Sequence, residues 1–146
     1  MRRRLTASFF YYHSERCRRI SVDIDRKHLH DEPLKILRVY FMLKNLFPSA
    51  NLMVERTIHG FHVKAIDKTI RKLPIPKKVD LREALGDDPD RIDHDRMSIK
   101  LGVPYFTDTL FTIKFHSTGE VGMTDEVNPL ALPYVSKIPA KKYRAH

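Results

Sequence analysis

A short run of alternating apolar and polar side chains constrains the fold of this chain most. In residues 19–25 every second side chain is β-branched and apolar, and the side chains between them are polar. The apolar set is Ile20, Val22 and Ile24, and the polar set is Ser21, Asp23 and Asp25. Because successive side chains of a strand point to opposite faces, this pattern predicts a strand that is buried on one face only.

The next segments change from a strand pattern to a helix pattern and back. Apolar residues at three- and four-residue spacings predict a helix that ends before Pro48. Residues 51–57 and 61–66 are two predicted strands joined by a tight turn. The second of them places His62 and Lys64 on its polar side.

The second half of the chain repeats the order of helix and strand. Residues 71–78 contain two prolines and predict a loop. Two short helices are predicted on either side of Gly86, and the second ends near Leu101. Residues 109–116 alternate again and predict the last strand of the domain.

The predicted order of elements is β-α-β-β-α-β, which indicates an α+β fold. Right-handed crossovers favour a four-stranded antiparallel sheet of order 4-1-3-2 with both helices on one face. This is the ferredoxin-like arrangement, which RNA-recognition domains also use. We expect residues 1–18 to be a basic arm or an edge strand, residues 19–119 to be the domain, and residues 120–146 to be an irregular basic tail.

The positive charge of the chain is concentrated at its two ends. The net charge is +9, and residues 21–136 are neutral, so the surplus comes from residues 1–20 and 137–146. Basic ends hold phosphates by releasing counterions, which predicts DNA or RNA as a partner. The predicted phosphate contacts are Arg2, Arg3, Arg4, Arg18, Arg19, Arg71, Lys72, Lys77, Lys78, Lys141 and Lys142.

Cysteine content and hydropathy exclude several other classes of protein. One cysteine, Cys17, excludes an internal disulfide and a cysteine-rich zinc site. The default expectation is then an intracellular, cytoplasmic protein. No apolar run approaches the roughly 18 residues that a membrane span needs, so we expect no membrane partner.

The polar face of the predicted sheet combines carboxylates with basic side chains. In the predicted topology the first strand lies between the third and the fourth. The polar side chains on these strands are Ser21, Asp23, Asp25, His62, Lys64, Thr112, Lys114 and His116. Two carboxylates on one face favour Mg²⁺ or Mn²⁺, and the neighbouring cations favour a nucleoside triphosphate. The aromatic residues that stack bases on an RNA-recognition sheet are absent from these positions.

Two sequence motifs resemble those of archaeo-eukaryotic primases, in a reduced and divergent form. The run SVDID at residues 21–25 is similar to the family's hydrophobic-Asp-hydrophobic-Asp motif, and TIHGFHV at residues 57–63 is similar to its histidine motif. The resemblance implies that Asp23 and Asp25 bind catalytic metal and that His62 contacts the incoming nucleotide.

The resemblance also implies a third catalytic carboxylate later in the chain. Asp93 is the preferred candidate and Asp95 the weaker one. Asp108, at the start of the predicted fourth strand, is a further candidate on geometry.

These observations leave several functional hypotheses. The first is a replication-type protein with a metal-dependent primase or polymerase site for nucleotidyl transfer. The alternative is a non-catalytic nucleic-acid-binding protein on a primase-like scaffold, in which the aspartates are vestigial. Nuclease chemistry of the His-hydrophobic-His kind is disfavoured, because His62 is alone in its strand. A protein that only binds a protein partner is the remaining hypothesis.

Overall fold

The structure, a computed structural model, describes residues 6–110, 113–115, 120–129 and 142–144. Within these residues the helices are α1 (Ala7–Tyr12), α2 (Lys35–Leu46), α3 (Ile75–Ala84) and α4 (Pro89–Lys100). The strands are β1 (Arg19–Asp25), β2 (Asn51–Arg56), β3 (Gly60–Ile66), β4 (Ile113–Phe115), β5 (Glu120–Met123), β6 (Asp125–Val127) and β7 (Lys142–Arg144). The α+β class is therefore confirmed.

The main sheet has four antiparallel strands in the order β1-β3-β2-β6. As predicted, β3 pairs with β1 on one side and with β2 on the other. In this register Asp23 lies opposite His62, and Ser21 lies opposite Lys64. Paired residues of antiparallel strands share a face, so the polar side chains of β1 and β3 lie on the same side of the sheet.

The apolar face of this sheet packs against α2. The helix buries Ile36, Val39 and Leu43, which recur at three- and four-residue spacings. They join a core cluster with the strand residues Ile20, Val22, Ile24, Phe61, Val63 and Ala65. These are the apolar positions of both alternating patterns, so the predicted core face is confirmed. Of the other two main helices, α3 lies beside β1 and α4 packs against α3.

The fourth strand of the main sheet differs from the prediction. The sequence predicts residues 109–116 beside β1, but β4 belongs to a separate sheet of order β4-β5-β7, and β6 pairs with β2. Among the described residues, β1 pairs with β3 alone. The backbone N–H of Asp23 donates to the Asp87 carboxylate at 2.7 Å. The α3–α4 loop thus satisfies an edge amide of β1 that a neighbouring strand would otherwise bind.

The N-terminal segment and the segment before α3 also differ from the prediction. Residues 7–12 form a helix instead of an edge strand, and the Thr6 side chain caps it by accepting from the backbone N–H of Phe9. The second half of the predicted loop is the first turn of α3, which begins at Ile75. Pro76 fits there because the first turn of a helix needs no backbone donor from it.

The region after residue 119 is more regular than predicted. The sequence predicts an irregular tail over residues 120–146, but the described part of it contains β5, β6 and β7. No helix in the described part of the chain is both long enough and apolar enough to cross a membrane.

Candidate functional site

The polar face of β1 and β3 is mostly buried, although the sequence predicts an open face. His62 is 2% exposed and Ser21 is fully buried. His62 lies between two carboxylates, with Nε2 at 3.6 Å from Asp23 Oδ1 and Nδ1 at 3.6 Å from Glu55 Oε2. Lys64 Nζ is 2.6 Å from Glu55 Oε1. We call Asp23, His62, Glu55 and Lys64 the sheet network.

The structure brings together three of the predicted site residues and adds one that the sequence analysis missed. Asp23, His62 and Lys64 share a face as predicted. Glu55 is the addition, and it pairs directly with His62 across β2 and β3. The alternation of residues 51–57 contained this signal. It places Leu52 and Val54 on the core face of the strand and Glu55 on the other face.

The electrostatic environment keeps Glu55 ionised. The neighbouring His62 ring and then the Lys64 ammonium lower the pKa of Glu55 to about 2, although burial acts in the opposite direction. The distance from His62 is too long for a strong hydrogen bond. The Lys64 ion pair is therefore the short contact that fixes this carboxylate.

Glu55 makes the stability of the fold depend on acid pH. A carboxyl group whose pKa is about 2 in the folded chain and 4.5 ordinarily stabilises the fold above pH 4.5. This contribution is lost as the pH falls through about 2. The difference in the free energy of unfolding between the wild type and Glu55→Gln should therefore shrink by up to about 3 kcal/mol as the pH falls from 4.5 to about 2. Urea titrations at several pH values would measure it, and a pH-independent difference between the two proteins would contradict the prediction.

The other two predicted catalytic carboxylates do not join the sheet network. Asp25 ends β1 and accepts a hydrogen bond from the backbone N–H of Lys27 at 3.0 Å, which caps a short 3₁₀ turn. Asp93 is exposed on α4 and lies beside a groove that Lys35 and Asp87 also line. Its helical position directs it to solvent instead of to the sheet.

Three arginines and three aspartates form a second buried cluster, which we call the arginine–aspartate cluster. Its members are Arg19, Arg82, Arg91, Asp87, Asp95 and Asp108. Arg82 is 1% exposed, and its guanidinium donates to Asp87 at 2.9 Å and to Asp95 at 2.5 Å. Arg91 donates to Asp87 at 2.7 Å and to Asp108 at 2.9 Å. The charges balance, as buried charges must.

This cluster shifts the pKa values of its carboxyl groups in different directions. Burial raises the pKa of Asp87, and Arg91 and Arg82 only partly oppose it. Burial also acts to raise the pKa of Asp108, but attraction to Arg19, Arg82 and Arg91 outweighs it and the pKa is lowered. Asp108 is thus held as an anion.

The arginine–aspartate cluster fastens the helices to β1. Asp108 accepts hydrogen bonds from Ser21 and from Arg19, both on the polar side of β1. Arg91 of α4 donates to Ser21 Oγ at 3.1 Å. Asp95 and Asp108, two candidates for the third catalytic carboxylate, therefore hold the fold together.

The carboxylates do not make up the metal-ligand set that the primase resemblance implies. Among the described residues, no group of three or more His, Cys, Asp or Glu side chains is placed to hold a metal ion. Asp25 caps a turn and Asp93 lies at the surface. Asp95 and Asp108 form ion pairs with arginines of the arginine–aspartate cluster. Of the two carboxylates in the sheet network, Asp23 is the more open to a ligand, with its side chain 26% exposed against 11% for Glu55.

The predicted phosphate contacts divide into exposed and buried side chains. Arg18, Arg71, Lys72 and Lys77 are exposed. Arg19 and Lys78, which the sequence analysis predicts to contact phosphate, are instead buried in the structure. Arg19 joins the arginine–aspartate cluster, and Lys78 Nζ donates to the Tyr11 hydroxyl and to the Arg16 carbonyl, each at 2.9 Å. Burial lowers the pKa of Lys78 to about 8.

The remaining predicted contacts lie outside the described residues or side chains. Arg2, Arg3, Arg4, His116 and Lys141 lie outside the described residues. Lys114 and Lys142 belong to β4 and β7, whose side chains the structure does not describe.

A comparison of the chain with protein-family models, curated proteins and solved structures finds no match.

Proposed function

We propose that this protein binds nucleic acid through exposed cations, without catalysis, on a scaffold that its buried ion pairs hold together. The observation that carries the proposal is the segment around residues 71–77. Arg71, Lys72 and Lys77 are all exposed there, and no carboxylate of the described residues forms an ion pair with any of them. Their positive charge is therefore available to a polyanion.

The engagement of the carboxylates supports binding over catalysis. Asp87, Asp95 and Asp108 neutralise buried arginines, and Asp25 caps a turn. Each has a structural task that explains its place in the sequence. Four carboxylates, those of Glu55, Asp87, Asp95 and Asp108, are buried in the structure, and the chain as a whole carries a net charge of +9.

Metal-dependent nucleotidyl transfer is a second candidate, and one observation favours it. Asp23 and His62, to which the primase resemblance assigns metal and nucleotide contacts, lie directly opposite each other on β1 and β3, and Asp23 is partly exposed. This candidate requires additional ligands for the Mg²⁺ or Mn²⁺ ion and a nucleoside triphosphate as substrate.

The binding proposal predicts a loss of affinity when the three exposed cations are neutralised together. We expect Arg71→Gln/Lys72→Gln/Lys77→Gln to weaken binding to DNA. Since each phosphate contact contributes about 0.7–0.9 to the slope of log K against log salt, the slope should fall by about 2 to 3. Fluorescence anisotropy with labelled DNA and RNA between about 50 and 200 mM salt measures both quantities.

The matched control removes the same charge elsewhere on the surface. Lys27→Gln/Lys44→Gln/Lys100→Gln neutralises three other exposed lysines and should leave most of the affinity intact. Equal losses in both triple variants would show that net charge alone governs binding, and no binding by the wild type would refute the proposal.

A further variant separates binding from catalysis. Asp23→Asn should leave DNA affinity unchanged or slightly higher, because it removes one negative charge. Incorporation of labelled nucleotides by the wild type with Mg²⁺ or Mn²⁺, lost in Asp23→Asn, would instead establish the second candidate.

A further inference from the structure

A small groove adjoins the exposed cations at residues 71–77. Three tyrosines, several prolines and one arginine form its walls, and we call it the tyrosine–proline groove. Its main lining residues are Tyr11, Tyr12, Arg71, Pro74, Pro76 and Tyr105. Neither the primase resemblance nor the basic ends of the chain assign a role to these aromatic residues.

The tyrosines of the groove form a packed aromatic wall. The Tyr105 ring lies 5.8 Å from the Tyr11 ring and 5.9 Å from the Tyr12 ring, centroid to centroid. Tyr11 is buried, and the hydrogen bond from Lys78 fixes its hydroxyl. Tyr12 is 43% exposed, so the inner part of the wall is anchored and the outer part presents a ring to solvent.

The size of the groove limits its occupant. Its volume is about 250 Å³, slightly below the range of about 300–1,000 Å³ that is typical of ligand pockets. A large cofactor does not fit this volume, whereas a planar group such as one nucleobase does.

The charge of the groove selects the same occupant. Arg71 belongs to the wall, and Lys72 and Lys77 flank the lining segment in the sequence. Aromatic rings that stack bases, beside cations that hold the backbone, are the combination by which proteins bind single-stranded nucleic acid. A duplex keeps its bases stacked inside. Its phosphates can contact the cations, but its bases cannot stack on the tyrosine rings.

We infer that the tyrosine–proline groove binds an unpaired base of single-stranded nucleic acid, with the exposed Tyr12 as the stacking ring and Tyr105 packed edge to face against it at an interplanar angle of 62°. Arg71, Lys72 and Lys77 hold the phosphates on either side of that base. This inference rests on the proposed nucleic-acid binding and adds to it a preference for single strands.

The test compares Tyr12 with an aromatic residue of similar exposure on another surface. Phe41 on α2 is 49% exposed and serves as the control position. We expect Tyr12→Leu to weaken binding to an oligothymidine of about 16 nucleotides by about tenfold and to leave duplex binding unchanged. Phe41→Leu should change neither affinity. Circular dichroism and thermal melting establish that the variants are folded.

A fluorescent reporter gives a second readout that does not depend on loss of function. The sequence contains no tryptophan, so Tyr12→Trp introduces the sole indole and also conserves an aromatic ring. We expect this variant to bind oligothymidine like the wild type, with its emission quenched on binding, whereas emission from Phe41→Trp stays constant.

The outcomes separate this inference from the proposed function. If oligothymidine and duplex bind equally well, and neither Tyr12→Leu nor Tyr12→Trp shows its expected effect, the stacking role is refuted but charge-driven binding stands. If the wild type binds neither nucleic acid, the proposed function fails, and the stacking role fails with it.

Discussion

Arg82→Met is expected to lower the free energy of unfolding by about 3–5 kcal/mol. The guanidinium of Arg82 is almost fully buried and donates to Asp87 and Asp95. Methionine approximates the volume of the arginine stem, so the packing defect is small and the lost charge dominates. Three buried carboxylates would then face two arginines. An unpaired buried charge destabilises the fold by more than the intact ion pair stabilises it.

Arg96 is the matched control for this prediction. Like Arg82 it lies on one of the two packed helices and pairs with two carboxylates, Asp80 and Glu83, each at 2.9 Å. Its side chain is 42% exposed, and exposed ion pairs contribute at most about 1 kcal/mol. Urea unfolding of both variants at neutral pH measures the contrast. Equal losses in Arg82→Met and Arg96→Met would show that the buried cluster does not hold the fold together.

The sequence predicts the centre of the sheet correctly because local patterns determine it. Alternation in residues 19–25 and 61–66 assigns each side chain to a face, and the turn at Gly60 sets the register of the hairpin. Together with the predicted adjacency of the first and third strands, these patterns place Asp23 and His62 on one face, but the β1–β3 register that sets them opposite each other is known only from the structure. The structure has both side chains on that face.

Alternation cannot show whether another part of the chain covers a polar face. His62 and Lys64 alternate with core residues in the way solvent-facing side chains do, but both are buried. Burial of a polar face depends on partners that are distant in sequence, such as Asp108 for Ser21. For this reason the sequence predicts an open site where the structure has a closed network.

The arginine–aspartate cluster has no signature in the sequence. Its charged residues lie on β1, on α3 and α4, in the loop between these helices and in the segment after α4, at spacings that no helix or strand period relates. In a chain that is 31% charged, such residues resemble a solvated surface. At the edge of β1 where the sequence predicts the fourth strand, Asp87 of the cluster accepts a hydrogen bond from the backbone N–H of Asp23.

Gly60→Ala is expected to destabilise the fold by about 3 kcal/mol or more, near the upper end of overpacking effects. Gly60 pairs with Asp25, where the β2–β3 turn meets the end of β1. A Cβ atom at Gly60 would lie 1.9 Å from the carbonyl oxygen of Ile24 and 3.0 Å from the backbone nitrogen of Arg26. These are backbone atoms, so the clash can be relieved only by separating the two strands.

The control for this prediction is a glycine whose substitution meets no neighbouring atom. Gly102 ends α4 with φ at +76°, and nothing lies within 4 Å of a Cβ added there. Gly102→Ala should therefore cost only the strain of a left-handed backbone, about 1–2 kcal/mol. Thermal and urea unfolding compare the two variants, and a smaller loss for Gly60→Ala than for Gly102→Ala would contradict the close approach. The same β1–β3 register places Asp23 opposite His62. Gly60→Ala should therefore also disturb the contact between these two residues of the sheet network.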